Sequence, residues 1–259
     1  MNRLPIGVRI LAVLSFGFVS LPLLSLLWRV PWPRLLTLVA SDTVTDALFL
    51  SLTSSVLAAL LALALGVPLA LQLSKMSGFA ASIARAVVVL PMILPPVVGG
   101  AALLFAFGRN GLVGSFVADV SGVVLPYSIS GVVLANTFVA LPFVVITVEG
   151  ALRTIDPRYA LAASTLRANS SAITFRVVLP MVRPAVIAGG FIAWARALGE
   201  FGATITFAGN IQGKTQTLPL AVFVALESDR EAALAMSVLL ISVSLIVLIS
   251  LRERWWPVR

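Results

Sequence analysis

Residues 156–180 read DPRYALAASTLRANSSAITFRVVLP, and this is the one long polar, helix-forming interruption in a chain that is otherwise apolar. Asp156 is a good N-cap and Pro157 suits the first helical position, where its missing N–H removes no hydrogen bond, so a short helix is predicted to start here. Tyr159, Ala162, Ala163 and Leu166 follow at i, i+3, i+4 and i+7. That spacing gives a narrow apolar stripe on a helix otherwise carrying Arg158, Ser164 and Arg167, and such a stripe needs a partner. Asn169 tolerates the left-handed conformation that ends a helix, and Ser170 or Ser171 can cap a second short helix through Ile173 and Val177 to Leu179. Pro180 and Pro184 are expected to break that helix and lead into the next apolar segment. The simpler reading is an amphipathic helix lying on a lipid surface.

Over the whole chain, 60% of the residues are hydrophobic and 11% charged, with a mean hydropathy of +1.09, which excludes a water-soluble domain. Apolar segments at 10–28, 47–74, 86–108, 129–149 and 232–251 have the length of roughly 18 to 20 residues needed to cross hydrocarbon. A sixth, 184–207, is interrupted by Arg196 and Glu200. Pro and Gly occur within these segments and no alternating pattern does, so the fold class expected is an all-α integral membrane protein with six transmembrane helices, one domain over residues 1–259.

The net charge of +8 comes from basic residues at segment ends, without the aromatic-interleaved clusters of a nucleic-acid surface. With a cytoplasmic N-terminus, Arg3, Arg9, Lys75, Arg85, Arg153, Arg158, Arg167, Arg176, Arg183, Arg252, Arg254 and Arg259 fall inside, against Arg29, Arg34, Arg109, Lys214 and Arg230 outside. This bias puts both termini and residues 156–180 in the cytoplasm. The basic N-terminus resembles a signal peptide, but the apolar run is too long, holds Pro22 and lacks a cleavage site, so it is expected to stay as the first span. Trp28 and Trp32 then mark the outer interface, and Trp255 and Trp256 the inner one. The chain has no cysteine and no histidine, which excludes thiolate chemistry and disfavours a zinc site or a His-based triad; no cofactor or metal is expected on it.

Segment 86–108, AVVVLPMILPPVVGGAALLFAFG, contains Pro91, Pro95, Pro96, Gly99 and Gly100. Prolines this dense free several carbonyls, tolerated in hydrocarbon only against protein or a water-filled path. It is either a pathway lining or an ordinary packed kink. Arg196 and Glu200, four apart on one helix face, offset part of each other's desolvation. Charges at membrane depth mark a functional site by default, and three roles stay open: a structural ion pair, a gate, or contact with an anionic substrate. Gly189, Gly190, Gly199 and Gly202 allow close backbone approach, at a dimer axis or a tight gate. GNIQGKT at 209–215 is one residue short of a phosphate loop and lacks the flanking strand and helix, so it is not one.

Residues 161–180 resemble the cytoplasmic loop of ABC-importer permeases, whose pattern is Glu-Ala-Ala, three residues, Gly, nine residues, then Ile-x-Leu-Pro. Ala162 and Ala163 match the alanines, Val177 the Ile, and Leu179 and Pro180 the end; Leu161 stands in place of Glu and Arg167 in place of Gly. Because that Gly makes the turn between two short helices, the turn is expected to have moved to Asn169. ARALGEFGAT at 195–204 and FAGNIQGKTQTLPLAVF at 207–223 are similar to the fifth span and following loop of molybdate/tungstate permeases; sulfate and thiamine relatives share LGEFG. The resemblance implies a type I importer fold. It also implies a homodimer in the cell membrane, two ATPase subunits that bind ATP and Mg, and an extracytoplasmic oxyanion-binding protein. In the family the loop docks on the ATPase, which here assigns Tyr159, Ala162, Ala163, Leu166, Arg167, Val177, Leu179 and Pro180 to coupling. Pro91, Pro95, Pro96, Gly99, Arg196, Gly199, Glu200 and Gly202 are the pathway or gate candidates. The competing functions are a sulfate permease and, in a different class, a proton-coupled secondary carrier, for which Glu200 and Glu149 are the only acids at hand.

Overall fold

The computed structural model describes residues 5–255, without the side chains of Leu248, Ser250 and 251–255. The expectations for Arg3, Arg259 and Trp256 therefore lie outside the described residues, and those for Arg252, Arg254 and Trp255 rest on side chains outside the description. The described chain is all-helical: α1 (Ile6–Trp28), α2 (Leu35–Val39), α3 (Asp42–Lys75), α4 (Gly78–Ile93), α5 (Pro96–Phe107), α6 (Gly114–Ser121) and α7 (Ile129–Arg153) lead to α8 (Arg158–Thr165) and α9 (Ser170–Ile173). After them come α10 (Leu179–Leu198), α11 (Gly202–Ala208), α12 (Leu218–Ser228) and α13 (Arg230–Trp255). Five helical stretches are long and apolar enough to cross a membrane, and α4 with α5 is a bent pair that makes a sixth.

The centre of the bundle is α3, α7 and α10. Its sequence logic is small residues: α3 buries Ser51, Ser54, Ser55, Ala58, Ala59, Ala62, Gly66 and Ala70 on one face, so the backbone of α7 can come close. A Cβ on Gly66 would stand 3.0 Å from Val144 of α7. Gly189 and Gly190 serve the same end on α10, where an added Cβ would lie 3.3 Å from the Val144 backbone and 2.9 Å from Leu63. Both are contacts within this chain. A second cluster joins Val44 and Ala47 of α3 to Leu218 and Ala221 of α12 and Met236 of α13. A third joins Leu103 of α5, Ala135 and Val139 of α7, and Ala203 and Phe207 of α11. No residue of α1 is buried.

Segment 86–108 is not one kinked helix. Pro95 and Pro96 both lack the N–H needed to continue α4, and the chain turns by 117° between α4 and α5. Segment 184–207 also divides, at Gly199, Glu200 and Phe201, so that α10 ends at Leu198 and α11 is separate. Conversely, Pro180 and Pro184 do not break their helix. Ser170–Leu198 runs on as one helical stretch because Thr174–Val178 forms a π turn, whose i→i+5 bonds suit a following residue without an N–H, and Pro180 falls in the first turn of α10.

Long-range polar contacts tie the ends. Leu218 N–H at the start of α12 donates to Ser51 Oγ of α3 at 2.6 Å, so the N-cap comes from a residue far away in the chain. At the end of the bundle next to α8, Glu149 Oε1 accepts from Arg85 Nε at 2.7 Å and Arg153 Nη2 at 2.9 Å. Arg85 Nη2 also donates to the carbonyls of Leu73 and Met76 at 2.7 and 3.2 Å, which satisfies the open C-terminus of α3.

Candidate functional site: a cavity at the helix break and an exposed loop

The loop builds as its sequence suggests, with one exception. Asp156 Oδ1 accepts from the Arg158 amide at 2.9 Å, starting α8. Tyr159 and Leu166 are 57% and 83% exposed, Ala162 is exposed and Ala163 half-buried, so the stripe faces away from the chain. The opposite side of the loop, with Pro157, Ala160 and Ile173, borders a cavity of about 280 Å³ against Leu71 and Leu152 at the ends of α3 and α7. The turn has not moved to Asn169. Arg167 itself takes the left-handed conformation (φ 60°), with its N–H bonded to Ser164 O at 3.0 Å and that of Ala168 to Ala163 O at 3.2 Å. These are the paired bonds of a Schellman ending, which fix the backbone whatever side chain sits there. Asn169 instead caps α9, its Oδ1 accepting from Ala172 N–H at 2.8 Å. Val177 lies in the π turn, Leu179 packs against the central core, and Pro180 is exposed.

The second group converges at the break in the helices. Pro91, Pro95, Pro96, Gly99 and Arg196 border one cavity of about 340 Å³, closed on another side by Phe138, Val139 and Phe143 of α7. Arg196 Nη2 pairs with Glu200 Oε2 at 2.5 Å. The pair is unequal: the arginine side chain is 30% exposed and the glutamate 1%. Glu200 Oε1 further accepts from Ala203 N–H at 2.7 Å in the first turn of α11. Gly202 lets that turn reach the bend, since a Cβ there would lie 2.5 Å from Pro96 Cβ. Gly199 has no such role; the nearest atom to an added Cβ is 3.9 Å away.

Trp194, two residues before Arg196, donates to Ser55 Oγ of α3 at 3.0 Å and fixes this part of α10 against α3. The 209–215 stretch closes on itself: the amides of Lys214, Thr215 and Gln216 all point to Ile211 O, so none is free to cradle a phosphate. The Arg85–Glu149–Arg153 cluster was not visible in the sequence, where Arg85 and Glu149 stand 64 residues apart and read as separate segment-end charges.

An apolar helical bundle with a broken-helix cavity, one arginine in it, and an amphipathic loop presented at one end defines a membrane-spanning transport subunit. Comparison with known proteins narrows the class. Residues 62–253 match the family described as binding-protein-dependent transport system inner membrane component. The chain is 43% identical over 251 residues to the molybdenum transport system permease protein of Mycobacterium tuberculosis, covering 97% of this chain and 95% of that one. It is 35% identical to the protein of the same name from Escherichia coli, covering 84% and 95%. A sulfate transport system permease protein of Salmonella typhimurium is 34% identical, covering 86% and 80%. Among solved structures, a bacterial ABC transporter involved in import of the acidic polysaccharide alginate superposes with a TM-score of 0.77 at 18% identity, covering 98% of this chain and 96% of that one, which shows the shared fold. The chain belongs to the binding-protein-dependent transport system inner membrane component family, and its fold is that of the ABC-importer permeases.

Proposed function

We propose that this chain is the permease subunit of an ATP-driven importer that moves a tetrahedral oxyanion, molybdate or tungstate, by alternating access. The observation that carries the substrate is the 43% identity, over nearly the full chain, to a protein named for molybdenum transport. In this reading two copies of the chain form the pathway, two ATPase subunits bind ATP and Mg on the cytoplasmic side, and an extracytoplasmic protein delivers the anion. The charge bias along the chain supports cytoplasmic termini and a cytoplasmic 156–180 loop. The outward-facing stripe of Tyr159, Ala162, Ala163 and Leu166 supports docking of that loop on the ATPase, because an apolar stripe turned away from its own bundle needs an outside partner. Arg167, Val177, Leu179 and Pro180 complete the coupling segment by holding its turn and its junction with α10. Pro91, Pro95, Pro96, Gly99, Arg196, Glu200 and Gly202 form the pathway region, and Gly199 marks the helix break. A proton-coupled carrier is disfavoured because Glu149 and Glu200, the acids a relay would use, are both held by arginines.

The test is reconstitution of the permease with its ATPase and binding protein in liposomes. Molybdate- or tungstate-loaded binding protein should stimulate ATP hydrolysis and anion uptake more than sulfate does. Stimulation by sulfate equal to that by molybdate would refute the substrate, and no stimulation by any oxyanion would refute the function.

A further inference from the structure

We infer that the cavity at the α4–α5 bend is a transit site for the oxyanion, in which the substrate displaces Glu200 as the partner of Arg196. The inference rests on the transport reading above and adds a binding site and an exchange of ion-pair partners to it. Three observations carry it. Arg196 is the one charged residue lining the cavity among the described residues, and it is the exposed member of its pair, whereas Glu200 lies behind it, 1% exposed. The guanidinium uses Nη2 on Glu200, and among the described residues it has no other partner. A guanidinium has five N–H donors in a planar fork, so donors remain for a doubly charged tetrahedral anion, which the fork can grip by two oxygens.

A buried carboxylate stripped of its arginine is strongly unfavourable. Glu200 offsets part of this cost because its Oε1 is already bonded to the Ala203 amide at 2.7 Å, a donor that stays when the guanidinium turns to the anion. The charge that the exchange leaves on Glu200 keeps one donor, and the remaining cost drives the guanidinium back to it when the anion leaves. The rest of the wall holds the anion poorly. Phe138, Val139, Phe143 and Ile93 are apolar, and Pro91, Pro95 and Pro96 have no N–H to offer. A single competing contact gives a weak site, and weak binding is what passage needs, since the ion must leave as readily as it enters. The first turn of α5 opens on the same space, with the dipole sign that favours an anion.

The test uses the intact permease–ATPase complex in lipid nanodiscs, without binding protein, and radiolabelled molybdate as the probe. Glu200→Gln removes the competitor and keeps an oxygen for the Ala203 amide; it should bind molybdate at least tenfold more tightly than the unaltered complex. In liposomes with binding protein it should import several-fold more slowly, because release is hindered. Arg196→Gln combined with Glu200→Gln leaves a neutral pair that can assemble, checked by size-exclusion chromatography, and should bind no molybdate. Tungstate and sulfate should displace the bound label from Glu200→Gln, and chloride should not. If Glu200→Gln retains no more molybdate than the double variant, the site does not exist. If chloride competes as well as tungstate, it is not an oxyanion site. If the double variant imports at the unaltered rate, Arg196 is not on the route, whereas failure of the unaltered complex to import any oxyanion refutes the transport reading itself.

Discussion

Glu149→Ala should be the most damaging single change outside the cavity, and the structure sets its size. Glu149 Oε1 takes three bonds, from Arg85 Nε at 2.7 Å and from Arg153 Nη2 and Nε at 2.9 and 3.1 Å, with the carboxylate side chain 10% exposed. Its removal strands Arg85, 27% exposed, with only the carbonyls of Leu73 and Met76. Breaking a fully buried pair costs about 3–5 kcal/mol. Discounting for the partial exposure of Arg85 leaves about 2–3 kcal/mol, or a fall in Tm of about 4–12 °C at about 2–4 °C per kcal/mol. Arg153→Ala breaks the other arm, where the arginine is 52% exposed, and should cost no more than about 1 kcal/mol. The assay is thermal unfolding of the purified complex, followed by the loss of its peak in size-exclusion chromatography. Arg85→Ala should resemble Glu149→Ala, and the double variant should be less damaged than the sum of the two. Equal, small shifts for Glu149→Ala and Arg153→Ala would refute the claim that this cluster joins α3, α4 and α7.

Arg167→Gly should stabilise the loop by about 0.5–1 kcal/mol, the left-handed penalty of about 1–2 kcal/mol less the extra entropy of glycine, and should slow hydrogen exchange of the Arg167 and Ala168 amides about two- to fivefold. Faster exchange would mean that the turn lies elsewhere. Gly202→Ala puts a Cβ 2.5 Å from Pro96 and should destabilise by about 1–3 kcal/mol, while Gly199→Ala, with 3.9 Å to its nearest neighbour, should be close to neutral in the same unfolding assay. Ser51→Ala removes the acceptor of the Leu218 amide and should cost about 1–2 kcal/mol, seen as faster exchange in the first turn of α12. Unchanged exchange there would show that α12 does not depend on α3 for its start.

The sequence carries the local part of this fold well. Hydropathy locates the apolar helices, and Asp156 and Pro157 start α8 as their chemistry requires. What local reasoning misses is direction. The proline pair at 95 and 96 is readable as a break, but the 117° turn depends on where α5 can pack. Gly100 decides that, because a Cβ there would meet Thr206 at 2.6 Å and the Ala203 carbonyl at 2.9 Å on α11. The turn at Arg167 shows the limit of residue preference: two hydrogen bonds hold a conformation that its side chain disfavours, while Asn169, intrinsically better suited to that turn, is occupied as a cap. In the candidate site the sequence supplies the individual residues, but the meeting of the prolines and Arg196 around one cavity, with Glu200 paired to the arginine, arises from two helix breaks facing each other. The contacts of Arg85 with Glu149 and of Ser51 with Leu218 span 64 and 167 positions, beyond the reach of any periodicity.

The unbroken run from Ser170 to Leu198 has a mechanical meaning. At 1.5 Å per residue it is a strut about 42 Å long, with the loop at one end and Arg196 near the other. A tilt of about 5° at the loop end sweeps the far end through roughly 3–4 Å, about the length of a hydrogen bond plus slack. A displacement of that size would shift Arg196 relative to the α4–α5 bend that borders the same cavity. The π turn at Thr174–Val178 sits in the first half of this strut and Pro184 at its middle, and they are where it would yield if the load were too great, so stiffness there governs how much of a push at the loop arrives at the cavity.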